Sequence, residues 1–305
     1  MKIIVSLLPA VALAVSAPGA IFTNTPDADS FVRAAAASAN YGGAGSLSVS
    51  GAAATNVLGT VNGVADTFIR FNTAAMVAYF NSQYGVNNWV IDGAALAVTE
   101  VGSPNNNIFT RGVGKFEVRW LGGTNADNWA EGSGMPMSPG SSGLAYRDEA
   151  TLLNAAADES LGTSTNRGKD GLDTFTLTRP AGFVTDARNG GEVTLYLTAI
   201  DSNLGFTFNS RSFSAIAQPQ LVISAVPQPG IASVQAAGAN LILTGTNGFD
   251  GGVYIVLESA DLATPLNQWT PLSTNVGSAA PFSITLTNAL HGADGGAEFF
   301  LLATP

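Results

Sequence analysis

The hexapeptide Lys115-Phe116-Glu117-Val118-Arg119-Trp120 alternates charge and apolar bulk at every step. A period of two places Phe116, Val118 and Trp120 on one side of a strand and the three charges on the other, the pattern of a half-buried β-strand. The same period returns in Ser46 to Ser50, Leu96 to Val101, Asp173 to Thr178, Glu192 to Ile200 and Gln220 to Ala225, with Gly, Asn, Pro and Ser clusters between the runs. Many short strands separated by turns predict an all-β fold, a large antiparallel β-sandwich. One segment departs from the pattern: Met76, Val77, Phe80 and Tyr84 follow helical spacing after Asn72 and Thr73, and Gly85 is placed to end the helix. A further helical turn is expected over Asp148 to Ala156, with Leu152 and Leu153 facing inward.

The alternation pauses at Val226-Pro227-Gln228-Pro229-Gly230, whose two prolines read as a short stiff linker. Beyond it Asn240 to Thr244, Gly252 to Glu258, Phe282 to Leu286 and Glu298 to Ala303 are strand-like, with Asn247-Gly248 and Asp294-Gly295 as turn formers. The organisation expected is a large sandwich over 21–225, a linker over 226–230 and a small immunoglobulin-like or fibronectin-like sandwich over 231–305. Residues 1–20, MKIIVSLLPAVALAVSAPGA, read as a secretory signal peptide cut between Ala14 and Ala20, and no later stretch has the length of a membrane-spanning helix. The chain is therefore expected to be secreted, at the cell surface or outside the cell.

Composition narrows the chemistry. The chain has no Cys and a single His, His291, so thiol catalysis, Cys-ligated metals and a Ser-His-Asp triad within the large sandwich are excluded. A formal charge of −10 repels nucleic-acid backbones. Only 11% of residues are charged, which leaves a largely neutral polar surface suited to sugars or to another copy of the same chain. With so few charges available to protect them, sheet edges are candidates for self-association.

The strings ADSFVRAAAASANYGGAGSLSV, ADTFIRFN, AALAVTEV, DNWAEGSG and FNSRSFSAIAQPQLVISA, in that order, resemble the DNRLRE domain family over roughly Pro26 to Ala225. The stretch nearest the family's name motif is Asn209-Ser210-Arg211-Ser212-Phe213, which lacks the acidic residue. The resemblance implies a jelly-roll β-sandwich of exported bacterial and archaeal proteins and, through its alginate-binding relatives, polysaccharide as partner. Tyr254 to Leu262, Asn267 to Asn275 and Phe299-Phe300 are similar to carboxy-terminal modules of large exported bacterial proteins, which implies a spacer or attachment role.

Aromatic rings stack on sugar C–H faces while nearby acids and amides bond the hydroxyls. Trp129 stands in the polar run Thr124 to Gly132, and Tyr41 beside Gly42 and Gly43; with Asp127 and Glu131 they form the candidate carbohydrate site. The other reading of Trp129 is a plug at one end of the sandwich. Asp27, Asp29, Asp127 and Asn128 are candidate oxygen donors to a structural calcium ion, against the alternative that they only form turns. Carboxylate pairs at Asp27/Asp29, Asp148/Glu149, Asp158/Glu159 and Asp170/Asp173 lack any other catalytic spacing, so no enzymatic activity is expected. Two functions remain: a non-catalytic protein that binds polysaccharide or mediates adhesion, and a structural subunit of an extracellular matrix or filament.

Overall fold

The computed structural model describes residues 19–101, 107–213, 217–248, 253–276, 281–289 and 299–303. Residues 1–18 of the stretch read as a signal peptide, His291 and the expected turn at Asp294-Gly295 lie outside them. Two compact units divide the chain, one made of Ala20–Asn87 with Ile91–Ala225, the other centred on Val226–Pro305.

The large unit is antiparallel throughout its described pairings. Its strands are β1 (Ala20–Asn24), β2 (Pro26–Arg33), β3 (Ser46–Ser50), β4 (Ala65–Asn72), β5 (Trp89–Glu100), β6 (Gly114–Trp120), β7 (Glu159–Asn166), β8 (Gly171–Thr176), β9 (Glu192–Ala199), β10 (Gly205–Asn209) and β11 (Gln220–Pro227). The hydrogen-bonded order is β1-β11-β5-β10-β3-β4-β9-β6-β7, with β2 on β4 and β8 on β5. β3 meets β4 through the single pair Ser50↔Ala65. That seam divides the network into two layers, β2-β4-β9-β6-β7 and β1-β11-β5-β10-β3 with β8. Phe116 of β6 meets Phe206 of β10 at 4.9 Å and Phe175 of β8 at 5.0 Å between ring centroids, so the two inner faces close on an aromatic core. The alternation that marked β6 works as expected, with Phe116, Val118 and Trp120 buried.

Three helices accompany the strands. The helix read from Met76 to Tyr84 is α1 (Ala74–Tyr84), which buries Met76 and Phe80 and stops at Gly85. The turn expected over Asp148 to Ala156 is α2 (Tyr146–Leu152), displaced toward the amino terminus. α3 (Ala181–Asn189) has no counterpart in the sequence reading, which expected a single clear helix.

β4 carries most of the consequences for function, because both of its faces are buried. Thr67, Ile69 and Phe71 face the inter-layer core, while Asp66, Phe68 and Arg70 face outward beneath the irregular segment 121–158. There a second cluster forms: Ala28, Val32, Phe68 and Tyr196 from the sheet meet Leu121, Ala126, Trp129, Leu144 and Leu152.

The second unit is a small β-sandwich of two three-stranded antiparallel sheets. One has the order β12 (Gly230–Ala237), β13 (Asn240–Thr246), β16 (Phe282–Leu286); the other β15 (Thr270–Val276), β14 (Val253–Ser259), β17 (Phe299–Ala303). Its core is Leu241, Leu243, Tyr254, Val256, Phe282, Ile284 and Leu286, with Tyr254 stacked on Phe282 at 4.6 Å. The expected linker is shorter than the sequence suggested, since β11 runs to Pro227 and β12 begins at Gly230.

Candidate functional site

Arg70, projecting from the outer face of β4, organises the segment that carries Asp127 and Trp129. Its Nη1 donates to the carbonyl oxygens of Asp127 (2.8 Å) and Trp129 (3.0 Å), and its Nε donates to Asp27 Oδ2 at 3.0 Å. The guanidinium also lies 5.2 Å from the Trp129 ring centroid, a cation–π geometry. Trp129 Nε1 donates to Thr194 Oγ1 (3.2 Å), and Thr194 Oγ1 donates to Asp127 Oδ1 (2.6 Å). With the edge contact to Phe68 at 6.2 Å, these bonds pin the indole down on β4 and β9 at 6% exposure.

A second set of bonds closes beside it. Asp29 N–H donates to Glu131 Oε1 (3.2 Å), Arg211 N–H donates to Asp29 Oδ2 (2.7 Å), and Arg211 Nη1 donates to Glu131 Oε2 (2.7 Å). Asn40 fixes the same segment by donating to the carbonyls of Glu131 and Leu144. Next to it Tyr41 stacks on Phe31 at 4.7 Å and is 2% exposed. Burial drives the Asp29 carboxyl up to about 7, with Glu131 adding to the rise and the Arg211 N–H opposing it; burial also raises Glu131.

The structure thus brings Tyr41, Asp27, Asp29, Asp127, Trp129 and Glu131 into one neighbourhood, but their work there is structural. The exposed stacking platform expected of Tyr41 and Trp129 is corrected: both rings are covered, Tyr41 by Phe31 and Trp129 by Arg70 and Phe68. Of the candidate calcium donors, Asp27 is paired with Arg70, Asp29 with the Arg211 N–H, Asp127 with Thr194, and exposed Asn128 turns its amide to the Thr124 carbonyl, while Asp27 Oδ1 and Asp29 Oδ1 are buried without a hydrogen-bond partner. Among the described residues no three acidic or His side chains converge on one point.

Where this clamp ends, an open groove of about 500 Å³ begins, lined by Trp120, Leu121, Gly122, Gly123, Asp127, Ala181, Gly182, Thr185, Asp186 and Asn189. Trp120, 8% exposed, is part of that lining and donates from Nε1 to Asp186 Oδ2 at 2.9 Å. Gly122 and Gly182 lie against that indole, where an added Cβ would sit 2.7 and 2.6 Å from Cζ3, so a side chain at either position would displace the ring. Burial, with Asp186 and Glu192 adding to it, pushes Asp127 up to about 6 against the Thr194 hydrogen bond. Burial raises Asp186 too, opposed by the Trp120 N–H. Of the four residues expected to hold carbohydrate, only Asp127 lines this groove. Thr185, Asp186 and Asn189 escaped the sequence reading because they ride on α3, although Pro180 before it and Gly190 after it are helix boundary signals.

A third acidic group also went unread. Burial raises Asp66, 2% exposed on the outer face of β4, to about 6, and burial together with the neighbouring Asp66 raises Glu149 on α2 to about 7. Tyr196 donates to Glu149 Oε1 at 3.1 Å. Asp66 Oδ1 and Glu149 Oε2 are buried without a hydrogen-bond partner. No groove reaches the pair through the described pockets.

No family model matches the chain, and no curated protein matches it. Among solved structures, a β-glucuronidase from Ruminococcus gnavus in complex with an N1-substituted uronic isofagomine aligns at 9% identity and a TM-score of 0.19, over 78% of this chain and 33% of that one. A β-glucuronidase of Lactobacillus rhamnosus aligns at 10% identity and 0.19, over 78% and 35%. A β-D-glucuronidase of Dictyoglomus thermophilum aligns at 8% identity and 0.22, over 95% and 45%. The chain spans less than half the length of each of these enzymes, and at such scores the likeness carries no argument about fold or function.

Proposed function

We propose that the chain is an exported, non-catalytic protein that binds neutral polysaccharide in the groove between the 121–127 segment and α3. The observation that carries this reading is the lining of the groove. The carboxyls of Asp127 and Asp186, the amide of Asn189 and the hydroxyl of Thr185 are spread along an open trough with the Trp120 indole in its lining. Sugars present hydroxyl arrays at their rims and C–H groups on their faces, and this combination answers both. An acidic groove on a chain of charge −10 favours neutral glycans over polyanions.

The two groove carboxyls argue against hydrolysis, because glycosidases push their acid and their nucleophile or base apart in pKa. Here burial moves both Asp127 and Asp186 upward, and each is held by a donor of its own, Thr194 or Trp120. A shallow groove gives affinity for one oligosaccharide no tighter than about micromolar, so retention on a polymer depends on many copies acting together.

The test is affinity electrophoresis through neutral and acidic polysaccharides with the wild type, Asp186→Asn and Asn189→Ala. Wild type is retarded by at least one neutral glycan, and each variant loses about tenfold in affinity, or ~1.4 kcal/mol, with its melting temperature unchanged. Equal retention of both variants, or indifference of the wild type to every neutral glycan, refutes the site. Release of reducing ends refutes the non-catalytic reading.

A further inference from the structure

We infer that the outer edge of β12 is an assembly edge, which pairs with β12 of a second copy of this chain in antiparallel register. β12 is eight residues long, Gly-Ile-Ala-Ser-Val-Gln-Ala-Ala, has β13 as its one described sheet neighbour, and is exposed from Ala232 to Ala237. It contains no charged residue and no proline.

Open strand edges template pairing with another chain, and proteins blunt them with charge, proline, bulges or shortness. The other described edges follow that rule. β2 begins with Pro26, carries Asp27, Asp29 and Arg33 and is interrupted by a bulge. β7 carries Glu159, β8 carries Asp173 and β15 carries Pro271. β1, β16 and β17 are only five residues long. β12 has a register shift between Ile231 and Ser233, but Ser233 to Ala237 runs past β13 without interruption.

A second observation concerns the face of the strand. Val234 stands opposite Leu243, and Ala236 opposite Leu241, so these four side chains share one side of the sheet. Leu243 and Leu241 are buried in the core at 1% and 4% exposure, whereas Val234 is 54% exposed. Among the described residues, the apolar face of the small sandwich therefore continues onto β12 and is left half exposed at Val234.

A second copy satisfies both features. Antiparallel pairing of β12 with itself about Gln235 sets Val234 of each copy opposite Ala236 of the other, on the same face. The two three-stranded sheets merge into one that is continuous across the dimer, and the unpaired N–H and C=O groups of both edges are bonded. Two chains of charge −10 repel one another, and an eight-residue uncharged edge is where they approach with least local repulsion.

The chain has no cysteine, so single-cysteine variants report the register directly. Sedimentation velocity over a concentration series shows a monomer–dimer equilibrium for the wild type. Val234→Lys raises the dissociation constant at least about tenfold while leaving the melting temperature unchanged, since the side chain is already exposed. Under mild oxidation Gln235→Cys links two copies, whereas Ser273→Cys on β15 does not. A wild type that stays monomeric at the highest soluble concentration overturns the inference. So does a dimer indifferent to Val234→Lys, or one cross-linked equally well from β15.

Discussion

Replacing Asp66 by Asn is expected to stabilise the large unit at pH 8 and to change it little at pH 3.5. Burial lifts the Asp66 carboxyl from 3.8 to about 6 in the folded chain, against hydrogen bonds from Thr198 and Tyr196. The folded state therefore holds this proton more tightly than the unfolded state does. The contribution to stability is complete below pH 3.8 and is lost as the pH rises through about 6. A rise of roughly two units is worth about 3 kcal/mol at 1.36 kcal/mol per unit, which is the penalty carried by an ionised Asp66 at pH 8. Asparagine stands in for the protonated acid, and the rise is already net of the Thr198 and Tyr196 bonds, so the gain at pH 8 is up to about 3 kcal/mol, or a melting temperature higher by about 6–12 °C for a unit of this size. The gain therefore builds as the pH rises from 3.8 to about 6 and is level above that. Thermal denaturation followed by near-ultraviolet circular dichroism at half-unit pH steps measures it. A variant that melts below the wild type at pH 8, or one that gains the same amount at pH 3.5, refutes the assignment of the strain to a buried charge.

Three other outcomes follow from the same packing. Trp129→Ala costs ~3–5 kcal/mol, because the ring fills the outer cluster against Phe68 and Arg70; a variant that melts like the wild type on calorimetry would show the ring to be free. Arg70→Ala costs more than Arg211→Ala: Arg70 is largely buried and bonds two carbonyls and Asp27, whereas the Arg211–Glu131 pair, with Arg211 36% exposed, is worth ~1 kcal/mol or less. Equal losses for the two, measured by urea denaturation, would undo the ranking. Chelation with EDTA leaves the melting temperature unchanged, since the acids proposed as calcium donors already have partners; a drop restored by added calcium would reinstate the cation.

What the sequence disclosed depended on whether a segment has one wet face. β6 announced itself because one side meets the inter-layer core and the other is more polar, and α1 because Met76 and Phe80 return on one face before Gly85. β4 did not, since segment 121–158 covers its outer side and both faces are buried, which removes the alternation. The same cover explains the misread aromatics. Trp129 stands among Asn, Asp and Glu in the chain, the surroundings of an exposed loop, yet Arg70 reaches the Asp127 and Trp129 carbonyls from 57 and 59 residues away and turns the loop inward. Such contacts leave no periodic signal. α3 did leave one, in Pro180, Phe183, Ala187 and Gly190, but it is only nine residues long and sits between two strand patterns.

The acids share one physical origin. A long irregular segment lies flat on a sheet only if its carbonyls find donors, and Arg70 and Asn40 supply them, while Arg211 bonds the carboxylates of Asp29 and Glu131. Arg70 and Arg211 draw Asp27 and Glu131 in, and other acids such as Asp66 and Glu149 are enclosed without any cation, which is why burial is the first cause of every large upward shift. Asp127 stands at the border of this arrangement. Oδ1 belongs to the clamp through Thr194, while its side chain also lines the groove with Asp186. The clamp that hides Trp129 is therefore what fixes the position of Asp127, and loosening it through Thr194 should weaken any ligand in the groove without touching the groove itself.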